Sequence, residues 1–259
     1  MTKKIRRVIW WMSVDNYLKN ILKAVYDCLQ VPLSKPISNY FNFYNTDKNI
    51  EHWGQSEYVR QFLKVNGVTD IKTVETHMSQ TFLNRASQVD LTAKKNFVAF
   101  NPKKGFEVTQ QLTKFAPDID WRPIENMTPE EVQNLLAAAK VYIDFGDHPG
   151  KDRIPREAAI SGCVVITGKR GAAANNIDIN IPAEFKFDIE ATLNQIVDKI
   201  REVFENFSDA YENQADYRTR ILDDKNRFTK EVAEAFDKAR FWFGNFKANR
   251  LFRVSLSTT

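Results

Sequence analysis

The sequence predicts an α/β protein built on parallel sheets, and three observations support this fold class. Residues 141–145 and 163–167 are continuous apolar runs rich in β-branched side chains, as expected for strands buried on both faces of a parallel sheet. Amphipathic helical segments separate the predicted strands, which gives the alternation βαβαβαβ of a Rossmann-like domain. Polar loops containing Gly, Asp, Lys and Arg follow both apolar runs. We expect a Rossmann-like domain preceded by a shorter α/β lobe and followed by helices.

Composition sets broad limits on function. The chain has 259 residues, of which 43% are hydrophobic, so it can bury a substantial core. Its formal net charge of +4 is small for this length and favours anionic small ligands or an acidic surface, without requiring nucleic acid. Neither GxGxxG nor GxxxxGK[ST] is present, so the specific signatures of dehydrogenases and P-loop proteins are missing.

The cysteines and the N-terminus indicate the compartment. Cys28 and Cys163 lie in apolar surroundings without CxxC or Cys/His spacing, so we expect buried thiols and neither a disulfide framework nor a zinc site. The basic N-terminus precedes an apolar run that is too short for a secretory signal, and no segment is long enough to span a bilayer. These features predict a cytoplasmic protein.

Residues 1–90 are predicted to form an abbreviated N-terminal α/β lobe. Apolar periodicity indicates strands over residues 8–12 and 50–55 and helices over residues 16–30 and 56–66. Ser56 is a residue type that is preferred at helix N-caps. Residues 83–95 are polar and lack a sustained apolar period, so we expect an interdomain linker there.

Residues 91–210 are predicted to form the Rossmann-like domain. Its further elements are strands over residues 96–100 and 121–124 and helices over residues 106–115 and from 128 onward. Thr128 and Glu131 have the spacing of a capping box, with Pro129 at the first helical position.

Residues 211–259 are predicted to form a helical segment that packs back on the two lobes. Its tail, residues 238–253, reads KARFWFGNFKANRLFR and is both basic and aromatic. We interpret the tail as a terminal helix that packs on the sheet and the linker. Peripheral membrane attachment is the alternative, since basic and aromatic residues also favour a membrane surface.

The polar loops at the strand ends predict an anion site. Ligands of parallel sheets bind outside the carboxyl ends of the strands. Pro155 is expected at the first position of a helix that ends near Ser161, so the free N–H groups of this helix face the preceding loop. Gly150 allows close backbone approach, and the basic residues available to phosphate oxygens are Lys103, Lys104, Lys151, Arg153, Arg156 and Arg170.

Glu157 and the pair Lys103 and Lys104 are candidate ligand-binding residues that also have simpler structural explanations. Glu157 lies in the first turn of the predicted helix, where its carboxylate could accept hydrogen bonds from two ribose hydroxyls beside a phosphate; complementing the helix dipole is the alternative. Lys103 and Lys104 follow another strand and could reach the same pyrophosphate, although a solvated turn would have the same sequence.

The segment PEEVQNLLAAAKVYIDFGDHPGKDRIPREAAISGCVVITG resembles the donor-binding domain of GT-B glycosyltransferases, in particular family-4-like (group 1) enzymes. A helix and a strand precede a donor loop, and Glu-Ala-Ala, Gly and Val-Val-Ile follow in that family's order. The resemblance covers roughly residues 95–205. It implies that Glu157 binds the ribose of a nucleotide sugar, that Lys104 contacts the diphosphate, and that the loop around Gly150 cradles phosphate and sugar.

Two features depart from that family. A second glutamate normally stands eight residues before the one placed at Glu157, and here that position is Pro149. His148, Asp147 and Asp152 are therefore the candidates for contacting the transferred sugar or the leaving phosphate, with a loop-structuring role for His148 as the alternative. The N-terminal lobe is also short for an acceptor domain. We expect it to be abbreviated, or completed by a partner or a second copy of the chain.

The predicted function is transfer of a sugar from a UDP- or GDP-linked donor to a glycan or another acceptor. The resemblance implies a retaining reaction, and no cofactor or metal is expected, because a helix dipole with Lys and Arg groups can stabilise a departing diphosphate. No nucleic-acid partner is expected. A catalytically silent nucleotide-sugar binder and a GT-B-like sugar-nucleotide epimerase are the alternatives.

Overall fold

Two parallel β-sheets organise the computed structural model, which describes residues 7–20, 50–86, 88–188 and 190–237. The first sheet has three strands in the order β1-β2-β3, and the second has five in the order β5-β4-β6-β7-β8. All recorded strand pairs are parallel. The strands are β1 Arg7–Trp11, β2 Ile50–Gly54, β3 Ile71–Thr73, β4 Lys95–Phe100, β5 Asp120–Pro123, β6 Ala139–Asp144, β7 Val164–Gly168 and β8 Lys186–Phe187.

Helices connect the strands and cover the sheets. Residues 14–20 are helical and are labelled α1. The other described helices are α2 Glu57–Val65, α3 Gln80–Ala86, α4 Phe106–Phe115, α5 Pro129–Ala138, α6 Arg153–Ile160, α7 Leu193–Glu205, α8 Phe207–Glu212, α9 Ala215–Leu222 and α10 Asp224–Asp237. The predicted Rossmann-like alternation is therefore present, and the fold class is confirmed.

The largest apolar core lies on both faces of the five-stranded sheet. Val141, Ile143 and Ile166 are almost completely buried in the central strands, with Leu112 of α4 and Leu136 of α5 packed around them. Burial of both faces explains why β6 and β7 read as continuous apolar runs. The core therefore fixes the carboxyl ends of these strands, where the polar loops begin.

Helix α10 packs against the three-stranded sheet. Ala235 of α10 is buried together with Trp53 of β2 and Val74, and Phe228 stacks on Trp10 with ring centroids 6.4 Å apart. The last described helix thus contacts the N-terminal sheet, although all of residues 1–90 precede it by more than a hundred positions.

Local sequence signals located several elements correctly. Helix α4 occupies the predicted residues 106–115. Thr128 and Glu131 form the predicted capping box: Thr128 Oγ1 accepts a hydrogen bond from Glu131 N at 3.3 Å, and Thr128 N donates to Glu131 Oε2 at 2.6 Å. Ser56 caps α2 by accepting a hydrogen bond from Val59 N. The two capping signals worked because each is contained within one helical turn.

Other expectations were wrong or lie outside the described residues. Helix α6 begins at Arg153, so Pro155 is its third residue and not its first. The expected linker over residues 83–95 is helical up to Ala86, and its last residue already belongs to β4. Cys163 is buried with a free thiol, as expected. Cys28 and the tail, residues 238–253, lie outside the described residues, and the domain boundaries at residues 90 and 210 stay predictions.

Candidate functional site

A cavity of about 520 Å³ lies between the carboxyl edges of the two sheets. Met12, Gln55 and Thr76 line it and follow β1, β2 and β3, whereas Arg153 and Glu157 belong to the helix that follows β6. Loops from both sheets therefore face the same space. This is the position at which parallel α/β sheets bind ligands.

Glu157 presents a buried carboxylate to this cavity. Its side chain is 2% exposed, and Oε1 lies 3.1 Å from Nε of Arg153, whose own side chain is 75% exposed. Burial raises the pKa of Glu157, and the opposing charges of Arg153 and Arg156 only partly offset this effect. A desolvated carboxylate gains from hydrogen-bond donors, so a ligand with adjacent hydroxyl groups would stabilise it.

A second charged arrangement lies beside the carboxyl end of β6. Nζ of Lys104 is 2.6 Å from Oδ2 of Asp152, and the same oxygen is 3.0 Å from Nδ1 of His148. His148 is fully buried, and its Nε2 lies 3.6 Å from Oδ1 of Asp144. Burial raises the pKa of Asp152, but His148 and Lys104 outweigh it and hold this pKa below its ordinary value. The Asp152 carboxylate is therefore ionised at neutral pH.

Asp144, His148 and Asp152 are also the one group of potential metal ligands found among the described residues. The two ring nitrogens of His148 face different carboxylates, so a single ion could use only one of them. The ammonium group of Lys104 already lies on Asp152. Binding a cation here would require the displacement of Lys104, and the arrangement fits an array of ion pairs better than a coordination sphere.

Three residues that were predicted to bind phosphate lie at the junction between the sheets. Lys151 forms ion pairs with Glu75 and Asp224, and its side chain is 3% exposed. Arg156 pairs with Asp224 at 3.1 Å and donates a hydrogen bond to the carbonyl of Thr76 at 3.1 Å. Both cations are therefore engaged by protein groups in this structure. Their role as phosphate ligands stays a prediction.

Gly150 is the third of these junction residues. A Cβ at this position would lie 2.3 Å from Gln55 Nε2 and 2.7 Å from the carbonyl oxygen of Met12. Glycine is therefore required because the loop that follows β6 lies directly against the N-terminal sheet. The expected close approach exists, and the observed neighbours are the side-chain amide of Gln55 and the backbone carbonyl of Met12.

The remaining predicted site residues lie at the exposed rim of the carboxyl edge. Lys103 is exposed. Arg170 forms an ion pair with Asp147 at 2.8 Å, and both side chains are about half exposed. The backbone of this rim is fixed by a hydrogen bond from Ala172 N to the carbonyl of His148 at 2.8 Å. These side chains can reorient toward a ligand, unlike Lys151 and Arg156.

Sequence reasoning missed a polar residue in the cavity wall. Gln133 is 6% exposed and lines both the 520 Å³ cavity and a neighbouring cavity of about 360 Å³. Phe82 lines both cavities as well. The available signal was a polar residue on the otherwise apolar face of α5, between Val132 and Leu136. An amide placed in this way can donate and accept hydrogen bonds.

Asp178 is a second missed residue, and it joins the two sheets. It follows β7, is 3% exposed, and accepts hydrogen bonds from Glu57 N at 2.7 Å and Tyr58 N at 2.9 Å. These two N–H groups are the first of α2, so a residue distant in sequence completes the cap of this helix. No local pattern could have revealed this contact.

Comparison with known proteins gives matches only at the level of structure. No family model matches the sequence, and no curated protein matches it. Sucrose-phosphate synthase from Thermosynechococcus elongatus gives a TM-score of 0.60 at 12% identity, covering 93% of this chain and 69% of that one. HepE from Anabaena, solved in complex with UDP and glucose, gives a TM-score of 0.53 at 13% identity, and the match covers 89% of this chain and 77% of HepE. The chain has the GT-B glycosyltransferase fold.

A third structure with the GT-B fold, TarM, gives a TM-score of 0.55 at 14% identity. The match covers 79% of this chain and 48% of TarM, so the chain spans about half the length of that protein. The resemblance to GT-B enzymes is thus confirmed for the fold, and the closer likeness to family 4 stays a prediction. Among the described residues, each helix is too short or too polar to cross a bilayer.

Proposed function

We propose that this protein is a glycosyltransferase that uses a nucleoside-diphosphate sugar, UDP- or GDP-linked, as its donor. The observation that supports this most directly is the buried carboxylate of Glu157 in the cavity between the two sheets. A ribose offers two adjacent hydroxyls to such a carboxylate. HepE, which shares the fold, was solved with UDP and glucose.

The diphosphate is assigned to the rim beside Glu157. Lys104 and Arg153 have side chains that are partly open to solvent, at 32% and 75% exposure, and the exposed Lys103 and Arg170 lie at the same edge of the sheet. In the proposed reaction these cations stabilise the negative charge that develops on the leaving diphosphate. We propose a metal-independent reaction on this basis, with retention of configuration as in the family that the sequence resembles.

The acceptor is proposed to be a glycan that enters from the N-terminal sheet. Met12 and Gln55 line that side of the cavity. A partner or a second copy of the chain that completes the acceptor side belongs to the same proposal.

A panel of UDP- and GDP-sugars tests the proposed function. A ligand that binds only the folded state raises the apparent melting temperature, and calorimetry then gives its affinity. We expect at least one donor to bind and to be hydrolysed slowly when no acceptor is present. Binding without hydrolysis or transfer would favour the nucleotide-sugar binder. Absence of binding by the folded protein would reject both functions.

A further inference from the structure

Asp152 occupies a helix N-cap but does not cap the helix. It precedes α6, with the extended backbone angles φ −63° and ψ 142°, and its side chain makes no capping hydrogen bond. An aspartate at this position normally accepts a hydrogen bond from the second or third N–H of the helix. The carboxylate is directed instead to Lys104 at 2.6 Å and His148 at 3.0 Å.

The backbone around Lys104 is fixed against the same loop. Gly105 has φ +59°, and a Cβ there would lie 2.4 Å from the carbonyl carbon of Phe145. Lys104 Nζ also lies 3.4 Å from the carbonyl oxygen of Asp147. The ammonium group is therefore held at the carboxyl end of β6, where its principal anionic partner is Asp152.

We propose that Asp152 is an internal counter-anion, which holds Lys104 while the donor site is empty and gives it up to the diphosphate when a donor binds. This inference rests on the proposed function. It assigns Asp152 a positioning role in place of a direct contact with the transferred sugar.

His148 makes this exchange feasible. When Lys104 moves to the diphosphate, Asp152 keeps its contact with Nδ1 of His148 and is not left as an unpaired buried charge. A diphosphate carries more negative charge than one carboxylate, so it competes successfully for the ammonium group. Asp152 lowers the affinity for the donor, and it also recaptures Lys104 when the nucleoside diphosphate leaves.

The test measures the affinity for inorganic pyrophosphate, UDP and GDP by calorimetry. We expect Asp152→Asn to bind pyrophosphate and the accepted nucleotide about tenfold more tightly than the wild type, a gain typical of freeing one charge-assisted contact. Asp152→Ser is the second variant, since serine is also preferred at N-caps. Either variant must retain the wild-type circular dichroism spectrum.

Two controls separate release of Lys104 from a general gain in positive charge. Asp188→Asn removes a carboxylate that forms a 2.7 Å ion pair with Lys169 at the same edge of the sheet. This control should bind pyrophosphate as the wild type does. In a Lys104→Ala background, Asp152→Asn should no longer increase affinity.

The outcomes distinguish this inference from the proposed function. Tighter pyrophosphate binding that depends on Lys104 supports the inference, even if no nucleotide binds and the proposed donor is wrong. If wild type and folded Asp152 variants bind UDP or GDP equally, or if the gain persists without Lys104, the inference is overturned while the proposed function stands. Absence of pyrophosphate binding in every variant overturns the inference as well.

Discussion

Glu157 is a buried carboxylate whose ionisation lowers stability. Burial raises its pKa above the ordinary value of 4.5, despite the opposing charges of Arg153 and Arg156. The folded state therefore binds this proton more tightly than the unfolded state. The stability that this group contributes falls as the pH rises above 4.5, and it stays low at neutral pH.

Glu157→Gln should separate ligand binding from stability. The neutral side chain avoids the cost of a buried charge, so we expect an equal or higher melting temperature at pH 7. Affinity for the nucleotide should fall about tenfold, because a charge-assisted hydrogen bond to ribose is lost. Thermal unfolding and calorimetry measure the two effects.

Glu107→Gln is the matched control for this prediction. Glu107 lies in the first turn of α4 and is exposed, so it complements a helix dipole without lining the cavity. If Glu157 served only its helix dipole, both variants would be slightly less stable and would bind nucleotide normally.

Gln133→Leu tests the amide in the cavity wall. Gln133 lines the same cavity as Glu157, so we expect its amide to contact the nucleoside part of the donor. The variant should bind the nucleotide roughly fivefold to tenfold more weakly, because one hydrogen bond is lost. Inorganic pyrophosphate provides the control, since its affinity should not change. An equal loss of affinity for the nucleotide and for pyrophosphate would contradict this prediction, since Gln133 would then contact the diphosphate or serve only to stabilise the fold.

The sequence predicted where the charged residues of the β6 loop lie, but not which side chains they contact. The strand ends placed the charged residues of 147–157 at one edge of the sheet correctly. Neighbours in the chain nevertheless face different surroundings: Lys151 is buried against Glu75, whereas Asp152 contacts Lys104. These partners come from elements separated by tens of residues, so no local pattern contains them.

At the scale of elements, Asp178 connects the five-stranded sheet to α2. Asp178→Ala would leave the N–H groups of Glu57 and Tyr58 without this acceptor. We expect a loss of about 1 to 3 kcal/mol in the free energy of unfolding, measured by denaturant titration. The comparison variant is Asp90→Ala, since Asp90 caps only a short local turn through Thr92 N. An equal effect of both variants would contradict the joining role of Asp178.

Element boundaries were predictable where the signal is short-range. The capping box of α5 and the N-cap of α2 are formed by residues three positions apart. Strand β3 has only three residues, too few for a period to be recognised. The start of α6 was misplaced because proline is tolerated throughout the first turn of a helix, and Pro155 was expected to be its first residue.

At the scale of the whole molecule, a buried charge cluster joins three distant segments. Glu75 follows β3, Lys151 follows β6, and Asp224 begins α10. Lys151→Met should lower the free energy of unfolding by about 2 kcal/mol. Removing one partner of a buried ion pair usually costs about 3 to 5 kcal/mol. The expected loss is smaller here because Arg156 still pairs with Asp224 and Arg227 still pairs with Glu75. Lys230→Met, in an exposed ion pair, should change it by less than about 0.5 kcal/mol.

The same cluster predicts loss of stability in acid. Burial raises the pKa of Glu75, but Lys151, Arg227 and Arg220 outweigh this and hold it below the ordinary value of 4.5. The unfolded state therefore binds this proton first as the pH falls. The stabilising contribution is present above pH 4.5 and is lost as the pH falls through the lower folded-state value. Denaturant titrations of wild type and Glu75→Gln between pH 7 and pH 3 should converge at the acid end.

The cap that Asp178 provides for α2 has a consequence during synthesis on the ribosome. Glu57 and Asp178 are 121 residues apart, so the acceptor is made long after the helix it completes. At a translation rate of ~5 to 20 residues per second, Asp178 is synthesised roughly 6 to 24 s after the first turn of α2. Ser56 alone caps the nascent helix during this interval. Replacing Ser56 with alanine should therefore lower the yield of folded protein from translation more than it lowers the stability of the finished chain.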